Sequence, residues 1–246
     1  MEEITLDIVY RMEKENFWHC ARRSILEKMI RAFVKGAEND ILDVGCGVGA
    51  DYPLLSQFGS VDNVDCDKKA LQYFSNNNPN ATVYQGSLPD QLPEVVRLKK
   101  YNLIALFDVL EHIQDDVRAL IILKSLLKDG GHILLTVPAC PFLYRKWDRM
   151  SNHWRRYMRS NLKSVIQEAG LSVKFLSYFN FFLFPANVLV CLKEKMSDTY
   201  IHEIPNRFIN SVCRRIFELE KHFLPRISFP IGMSLIAVIS LRNKNS

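Results

Sequence analysis

The sequence predicts an α/β fold in which helices cover both faces of a mainly parallel β-sheet. The first observation is a regular alternation of short apolar segments and amphipathic segments between residues 40 and 137. The second is the nearly unbroken apolar run at 102–107, which is typical of a central strand buried on both faces. The third is a glycine-rich turn at 45–49 between a strand pattern and a helix pattern. Repeated strand-helix units of this kind build a parallel sheet.

The elements up to residue 137 follow from hydrophobic periodicity. A helix is predicted over 8–34, because Leu26, Met29, Ile30 and Phe33 share one face. Strands are then predicted at 40–44, 60–65, 81–85, 102–107 and 131–137, and helices at 50–58, 68–76 and 114–128. The pair Gly130-Gly131 is expected to end the last of these helices and to lead into the strand.

The pattern changes after Pro138. Residues 139–158 are aromatic and basic without a clear period, and we interpret them as an ordered loop over the site. A helix at 160–169, a strand at 171–179, a partly helical apolar stretch at 181–224 and a strand at 233–241 complete the prediction. The whole chain, 1–246, is thus predicted to form one domain. Its parts are an N-terminal helical cover (1–36), a core (37–180), a helical lid (181–230) and a final strand (231–246).

Composition limits the class of protein. Hydrophobic residues make up 48% and charged residues 24% of the 246 positions, as in folded globular domains. The six cysteines form no C-x-x-C pair and have no regular spacing, so neither a metal site nor a disulfide framework is predicted. No secretory signal pattern opens the sequence, and we expect a cytoplasmic protein.

Positive charge is concentrated in one segment. Residues 145–163 contain seven Lys or Arg side chains and one acid, Asp148, whereas the whole chain carries +5. Such a focus predicts attraction to an anionic partner, and the alternative is a solvated helix face. The phenylalanine-rich stretch 178–191 follows it, and asparagines and a proline make that stretch too discontinuous to span a bilayer.

The glycine turn is the first sign of a ligand. Gly45, Gly47 and Gly49 directly follow the strand that ends in Asp43-Val44, where a tight turn needs positive φ and a ligand can approach the backbone. Asp65 ends the next strand, and its carboxylate can accept hydrogen bonds from a ribose diol. Both features would also suit a dinucleotide, so on their own they leave the nucleoside cofactor open.

The order of several motifs resembles class I S-adenosylmethionine (SAM) dependent methyltransferases over roughly residues 40–138. These motifs are the glycine turn, Asp65, the segment Gln85-Gly86-Ser87-Leu88-Pro89, the segment Phe107-Asp108-Val109-Leu110-Glu111-His112, and Gly130-Gly131 with its strand. The resemblance implies a Rossmann-like, seven-stranded, mostly parallel sheet with a final antiparallel pair, and SAM as cofactor. The cofactor-binding residues that it implies are Trp18, Arg22, Asp43, Gly45, Cys46, Gly47, Gly49, Asp65, Cys66, Gly86, Ser87, Leu88, Phe107 and Asp108.

The resemblance also assigns roles. The loop Gly45–Gly49 would hold the methionine part of SAM, Asp65 the ribose, and Ser87 with Leu88 the adenine, while Phe107 and Asp108 line the far wall. Ser87 departs from the pattern, since many relatives have an acid there. A narrower resemblance, carried by Glu15 to Arg23 and His153 to Tyr157, is to the bacterial methyltransferase type 11/23-like subgroup associated with polysaccharide or lipid modification. It implies that Trp18 and Arg22 cover the cofactor, the alternative being a core tryptophan and a surface arginine.

Methyl transfer from a sulfonium depends mainly on alignment and desolvation. The expected acceptor is a small molecule or an anionic lipid- or saccharide-linked compound methylated at oxygen, with peripheral membrane contact. Candidate bases are His112, His153 and Tyr157, for which packing inside the loop is the alternative. An NAD-dependent oxidoreductase and a non-catalytic nucleotide-binding or membrane-surface module are the rival functions. An oxidoreductase would ordinarily have a Tyr-x-x-x-Lys pair beyond the fourth strand, and this sequence has none there. Nucleic acid is disfavoured as the acceptor because Asp108-Val109-Leu110-Glu111 stands where enzymes that methylate bases often have a Pro-Pro motif.

Overall fold

One seven-stranded sheet organises the chain, of which the computed structural model describes residues 5–36, 38–197 and 205–242. The strands are β1 (Asn39–Val44), β2 (Gly59–Asp65), β3 (Thr82–Gln85), β4 (Tyr101–Phe107), β5 (Leu127–Pro138), β6 (Leu171–Phe179) and β7 (Ser234–Leu241). Their spatial order is β3-β2-β1-β4-β5-β7-β6. The strands β1 to β5 are mutually parallel, and β7 is antiparallel to both of its neighbours. The predicted mostly parallel Rossmann-like sheet is confirmed.

Ten α-helices lie within the described residues. They are α1 (Leu6–Glu15), α2 (Phe17–Phe33), α3 (Tyr52–Leu55), α4 (Lys68–Asn77), α5 (Glu94–Arg97), α6 (Asp116–Ser125), α7 (Lys146–Met150), α8 (Arg159–Glu168), α9 (Phe184–Ser197) and α10 (Arg207–Glu218). The strands between them are largely apolar and buried, with every residue of β7 except the last below the surface. Burial of these apolar side chains is the main force that holds the layers together.

The predicted helix 8–34 is wrong as a single helix. Asn16 has extended backbone angles, φ −65° and ψ 135°, and its side chain accepts the backbone N–H of Trp18 at 2.9 Å. This cap ends α1 and starts α2. The two helices then differ, because α2 buries Ile25, Leu26 and Met29 in the core while no residue of α1 is fully buried.

Two further expectations need correction. The helix predicted at 50–58 is only the short α3. The helix predicted at 114–128 ends at Ser125, and Gly130-Gly131 lies inside β5 instead of before it. Gly130 has φ 76°, and the register between β4 and β5 shifts there, between Tyr101 and Leu103. The glycine pair therefore forms an irregularity within the strand, as glycines in strands often do.

Residues 139–158, called the strap below, are more regular than expected. They contain a short 3₁₀ turn at Pro141–Leu143 and α7. The predicted lid, 181–230, contains α9 and α10, and its residues 198–204 lie outside the described part. The Asn210 side chain of α10 accepts the N–H of Phe17 at 2.8 Å and donates to the carbonyl of Glu15 at 2.9 Å. The lid thereby holds the junction of α1 and α2. No helix in the described ranges has both the length and the apolarity to cross a bilayer.

Candidate active site

The predicted site residues converge at the carboxyl edge of the parallel strands. The strand order reverses between β1 and β4, and the loops that follow β1, β2, β3 and β4 all open at this edge. Open α/β sheets bind ligands at such a switch point. Gly45–Gly49, Gly86 and Asp108 follow β1, β3 and β4, and Asp65 ends β2.

A separate groove of about 500 Å³ lies at the other end of the sheet. Its lining includes Lys163, Leu171, Lys174 and Arg242. Leu171 begins β6, which runs in the same direction as β5, so this groove lies at the amino edge. None of the predicted site residues lines it, and we do not assign it to the site.

Asp65 fixes the glycine turn. Its carboxylate accepts the backbone N–H of Gly47 at Oδ2 and that of Asp67 at Oδ1, both at 2.8 Å. The N–H of Gly45 donates to the carbonyl of Val64 at 2.8 Å. Each carboxylate oxygen has two lone pairs, so Asp65 keeps capacity for a ribose diol. Its anchoring of the loop was not predicted from the sequence.

The three glycines of the turn all have positive φ, but for different reasons. A Cβ on Gly45 would lie 2.3 Å from Val109 Cγ2, and one on Gly49 would lie 2.6 Å from Phe74 Cδ2. Gly45 and Gly49 are therefore required by packing. A Cβ on Gly47, where φ is 53°, would meet no atom of the described chain within 4 Å. Gly47 thus presents bare backbone to open space, which is the feature that close approach of a cofactor requires.

Arg22 joins α2 to this edge. Its Nη1 donates to Asp108 Oδ2 and its Nη2 to Asp51 Oδ2, both at 2.6 Å. The guanidinium carbon is 5.1 Å from the centre of the Trp18 ring and 5.7 Å from that of Phe107. Burial lowers the pKa of Arg22, but the two carboxylates outweigh it and the pKa is raised. Trp18, Arg22, Phe107 and Asp108 therefore form one cluster, and their assignment to the cofactor stays a prediction.

Asp108 has an unusual backbone, with φ 56°. Its Oδ2 also accepts the hydroxyl of Thr136 at 3.0 Å, and its N–H donates to the Thr136 carbonyl at 2.9 Å. Positive φ is uncommon outside glycine, and asparagine and aspartate tolerate it best. These bonds to β5 and to Arg22 hold the side chain at the end of β4.

Glu13 is a titratable group near this edge that the sequence did not reveal. Burial and then the charge of Asp51 raise its pKa to about 7, against Arg22 and Arg23, which lower it, and Asp65 raises it further. Only the fold, which brings α1 near Asp51 and Asp65, puts this carboxyl near the others. In the sequence Glu13 is one member of an ordinary charged run.

The remaining predicted cofactor residues surround the same edge. Asp43 is buried at the end of β1, and burial followed by the charge of Asp51 raises its pKa well above the usual range. Cys46 is buried within the turn, whereas Cys66 is exposed. Burial is the main cause that raises the pKa of both thiols. Neither cysteine is therefore set up as a thiolate.

The segment after β3 is held by hydrogen bonds to β2 and within the segment. The N–H of Gly86 donates to the carbonyl of Asp65 at 2.9 Å, and the hydroxyl of Ser87 donates to Gln91 Oε1 at 2.9 Å. Leu88 is half-buried against the core. The Ser87 hydroxyl is thus engaged by Gln91, a partner that the sequence did not suggest.

His112 and His153 are brought together beside the same edge. Their ring centres are 4.6 Å apart with the planes nearly perpendicular. The Nδ1 of His153 is 2.9 Å from Asp148 Oδ1, and the buried Asp148 also accepts Arg156 Nε at 2.8 Å. Burial would raise the pKa of Asp148, but these partners lower it to about 2. Burial lowers the pKa of His112, so its ring is neutral near pH 7.

Glu111 lies next to these rings and was not predicted as a site residue. The residue is fully buried. Neither of its carboxylate oxygens has a hydrogen-bond partner among the described residues. Burial, and then the charge of Asp108, raise the pKa of Glu111 well above its usual range. The Glu-His pair in the motif after β4 was the signal that could have indicated it.

Tyr157 has a different environment from the two histidines. It is buried, and its hydroxyl donates to Asp116 Oδ2 at 2.7 Å. Arg155 Nη1 donates to the same oxygen at 2.8 Å. Burial and the bond to Asp116 raise the pKa of Tyr157. The side chain thus ties the strap to α6, and the catalytic role given to Tyr157 stays a prediction that its geometry does not favour.

The basic segment is less free than its charge suggested. Arg145 forms a hydrogen-bonded ion pair with Glu194 of α9, as Arg155 does with Asp116 and Arg156 with Asp148. At least three of its seven cations therefore pair with carboxylates in the described part of the chain. Arg149, Arg159 and Lys163 are exposed.

The phenylalanines around residue 180 are largely core. Phe179 is fully buried and stacks on Phe217 with ring centres 5.9 Å apart, and Phe181 stacks on Phe229 at 4.9 Å. Only Phe182 of this group is exposed, at 39%. Burial of these rings joins β6 to the lid, so they do not form an open apolar face.

Comparisons with known proteins identify the family of this chain. Residues 17–174 match the family model of a methyltransferase domain. A protein of Mycolicibacterium smegmatis named as a probable S-adenosylmethionine-dependent methyltransferase is 22% identical over 167 residues, covering 66% of this chain and 62% of that protein. A ubiquinone biosynthesis O-methyltransferase of Acinetobacter baylyi is 20% identical over 155 residues, covering 56% of this chain and 65% of that protein. Each match spans less than two thirds of the relative's length.

A solved structure extends the likeness in fold. An S-adenosylmethionine-dependent methyltransferase from Clostridium acetobutylicum has a TM-score of 0.57 to this chain at 11% identity, covering 91% of this chain and 92% of that one. At such low identity the agreement concerns the arrangement of strands and helices.

Proposed function

This chain belongs to the methyltransferase-domain family of SAM-dependent enzymes, and on that basis we propose that it transfers the methyl group of SAM to an oxygen of an anionic, amphiphilic acceptor. The observation that carries the proposal is the glycine turn, which Asp65 holds at the switch point of the sheet with the bare backbone of Gly47 facing open space. The acceptor is a small molecule or a lipid- or saccharide-linked compound.

SAM fits the donor set of this edge. The carboxylate of Asp65 would bind the ribose hydroxyls, and the backbone of Gly47 would lie against the ligand. When bound, the cofactor would supply a methyl group on a cationic sulfonium, from which an acceptor can displace a neutral thioether in line. The residues around it need only align the acceptor and exclude water. The cluster of Trp18, Arg22 and Phe107 forms one wall that can do both.

Transfer to oxygen is supported by the two imidazoles. The ring of His112 is neutral near pH 7 and can accept a proton. In the neutral tautomer of His153 whose Nδ1 donates to Asp148, Nε2 is an acceptor. The Acinetobacter relative is also named for O-methyl transfer. Tyr157, the third predicted base, would contribute to this reaction only by holding the strap, which carries His153, against α6.

An amphiphilic acceptor is supported by the surface of the strap. Phe142, Met150 and Trp154 are 58%, 53% and 58% exposed, and Arg149 is exposed between them in the sequence. The N–H of Trp154 donates to the carbonyl of Glu111 at 2.8 Å, which ties this surface to the site. Large apolar side chains beside a cation suit a lipid-linked anion at a membrane surface better than a nucleic-acid backbone. The cytoplasmic location stays a prediction.

The cofactor assignment is tested by isothermal titration calorimetry with SAM, S-adenosylhomocysteine and NAD. We expect micromolar affinity for the first two and none comparable for NAD. NAD binding as tight as SAM binding would favour the oxidoreductase alternative. Absence of binding to all three would leave a non-catalytic module.

The acceptor surface is tested by co-sedimentation with phosphatidylcholine vesicles that contain phosphatidylglycerol, in parallel with single-stranded and duplex oligonucleotides. We expect the parent to prefer vesicles and an Arg149→Ala/Trp154→Ala variant to lose this binding. The matched control is Leu98→Ala, which removes a side chain 77% exposed just before β4, at the amino edge. A preference for oligonucleotides, or equal vesicle binding by all three proteins, would contradict the proposed acceptor class.

A further inference from the structure

The carboxyl group of Glu111 is buried without a compensating partner among the described residues, and the proposed function does not account for it. It is completely buried, and neither oxygen has a hydrogen-bond partner in the described part of the chain. A buried carboxylate without partners costs several kcal/mol and is retained where a proton or a cation neutralises it. Arg22 is engaged by Asp51 and Asp108, and Arg156 by Asp148. Neither arginine bonds to Glu111.

Two imidazoles stand at ligand distance from this carboxylate. One ligand atom of Glu111, one of His112 and one of His153 all lie within 4.8 Å of one another. Bonds of about 2 Å to one ion place its ligand atoms up to about 4 Å apart, so a small movement of these side chains would bring the three atoms onto a single centre. Glu111 supplies a carboxylate oxygen and each ring supplies one nitrogen. The solvent-exposed position of His112 gives the group an entry path.

The surrounding contacts match those of a metal-binding histidine. Asp148 Oδ1 is 2.9 Å from His153 Nδ1, and the carboxylate is itself held by Arg156 Nε and by the N–H of Arg145 at 2.9 Å. A carboxylate that binds one ring nitrogen fixes the tautomer and directs the other nitrogen to the ion. The fold therefore provides the orienting partner as well as the ligands.

We propose that Glu111, His112 and His153 bind a divalent first-row transition-metal ion, with Asp148 as the positioning residue for His153. Two nitrogens and one carboxylate suit Zn²⁺ or Co²⁺ better than Mg²⁺, which prefers oxygen. Three protein ligands leave a coordination position open. This proposal departs from the absence of a metal site expected from the sequence. It does not depend on the methyl acceptor, because binding of the ion involves neither the acceptor nor SAM.

The assignment also bears on the bases of the proposed reaction. An imidazole nitrogen that binds an ion cannot accept a proton at the same time. The two rings would then act on an acceptor hydroxyl through the ion, which lowers the pKa of a bound oxygen. Methyl transfer could still fail to involve oxygen while the ion binds, so the two proposals stand or fall separately.

The test is titration of the full chain, dialysed against a chelator, with Co²⁺ and with Zn²⁺ alone. We expect one ion per chain, and a visible Co²⁺ absorption spectrum typical of nitrogen and oxygen ligands. His112→Ala should reduce the affinity at least tenfold. The ring also contacts His153 and the backbone at Ser151 and Asn152, so thermal unfolding of the ion-free variant checks that its fold is intact. Asp148→Asn should reduce the affinity by about 10- to 100-fold. The control His132→Ala, in β5, should bind as the parent does.

Thermal unfolding distinguishes the ion from a proton on Glu111. An ion that binds only the folded chain raises the melting temperature with concentration. The parent should gain stability from Zn²⁺, and Glu111→Gln should gain none, although the ion-free variant should be at least as stable as the ion-free parent. Binding of less than one ion per chain, or equal binding by the parent, His112→Ala and Glu111→Gln, would overturn the proposal and leave Glu111 as a buried neutral acid.

Discussion

Replacing Gly47 by alanine should separate the cofactor role of the glycine turn from its structural role. The backbone there has φ 53°, and the added Cβ would meet no described atom within 4 Å. The free chain should therefore lose only the cost of a left-handed residue, about 1–2 kcal/mol. A Cβ facing the ligand should in addition raise the dissociation constant for SAM at least tenfold, which is about 1.4 kcal/mol.

Gly130→Ala is the matched control. Gly130 also has positive φ, 76°, and its Cβ would also meet no described atom within 4 Å. It lies near the start of β5, at the opposite edge of the sheet from the turn. The melting temperatures of both variants should fall by similar amounts, about 2–4 °C for each kcal/mol of lost stability in a chain of this size. Only Gly47→Ala should lose SAM affinity.

Calorimetry with SAM and scanning calorimetry of the free proteins measure the two effects. Gly45→Ala supplies a third reference, because its Cβ would lie 2.3 Å from Val109 Cγ2 and should destabilise the free chain more than either variant. Parent-like SAM affinity in Gly47→Ala would refute the reasoning. Equal loss of affinity in Gly130→Ala would show that strain, and not clearance, sets the effect.

Three other predictions follow from single contacts. Asp65→Ala should weaken SAM binding by about 1.5–3 kcal/mol, the range for hydrogen bonds to a charged group. The control Asp67→Ala should lower stability through loss of the α4 cap without a comparable loss of SAM affinity. Equal affinities of the two variants in calorimetry would remove Asp65 from the site. Because the pKa of Glu13 is raised from 4.5 to about 7, its contribution to stability is present below pH 4.5 and is lost as pH rises through 7. Hydrogen exchange of α1 should show this loss, about 3 kcal/mol in size, and Glu13→Gln should abolish it; an identical pH profile in the variant would contradict the assignment. Tyr157→Phe should lower the melting temperature without changing SAM affinity, since it removes only the bond to Asp116; a lower methyl-transfer rate at unchanged stability would instead support a catalytic tyrosine.

The sequence predicted the parallel half of the sheet and the position of its ligand edge. This was possible because the signals are local: the glycine turn follows β1, Asp65 ends β2, and Asp108 follows β4. Backbone geometry at strand ends depends on a few neighbouring residues, and parallel strands open at one edge. These residues therefore meet at one edge of the sheet, whatever the arrangement of the other elements.

Pairings across the fold could not be predicted in this way. Arg22 lies 29 residues from Asp51 and 86 from Asp108, and nothing in the sequence joins the three. In the sequence Arg155 is likewise one charge in a basic segment, whereas in the structure it pairs with Asp116, 39 residues away. Net charge in a segment reports composition alone, whereas ion pairing depends on which distant elements pack together.

The position of β7 has a consequence for synthesis of the chain on the ribosome. It lies between β5 and β6, so those two strands have no partner on their facing edges until residues 234–241 emerge. During that interval both edges expose unpaired N–H and carbonyl groups, which can pair with another nascent chain. Stalled products that end before Ser234 should therefore aggregate, while the strands β1 to β4 already pair. Quality control of this protein would then depend on how quickly its last strand is made.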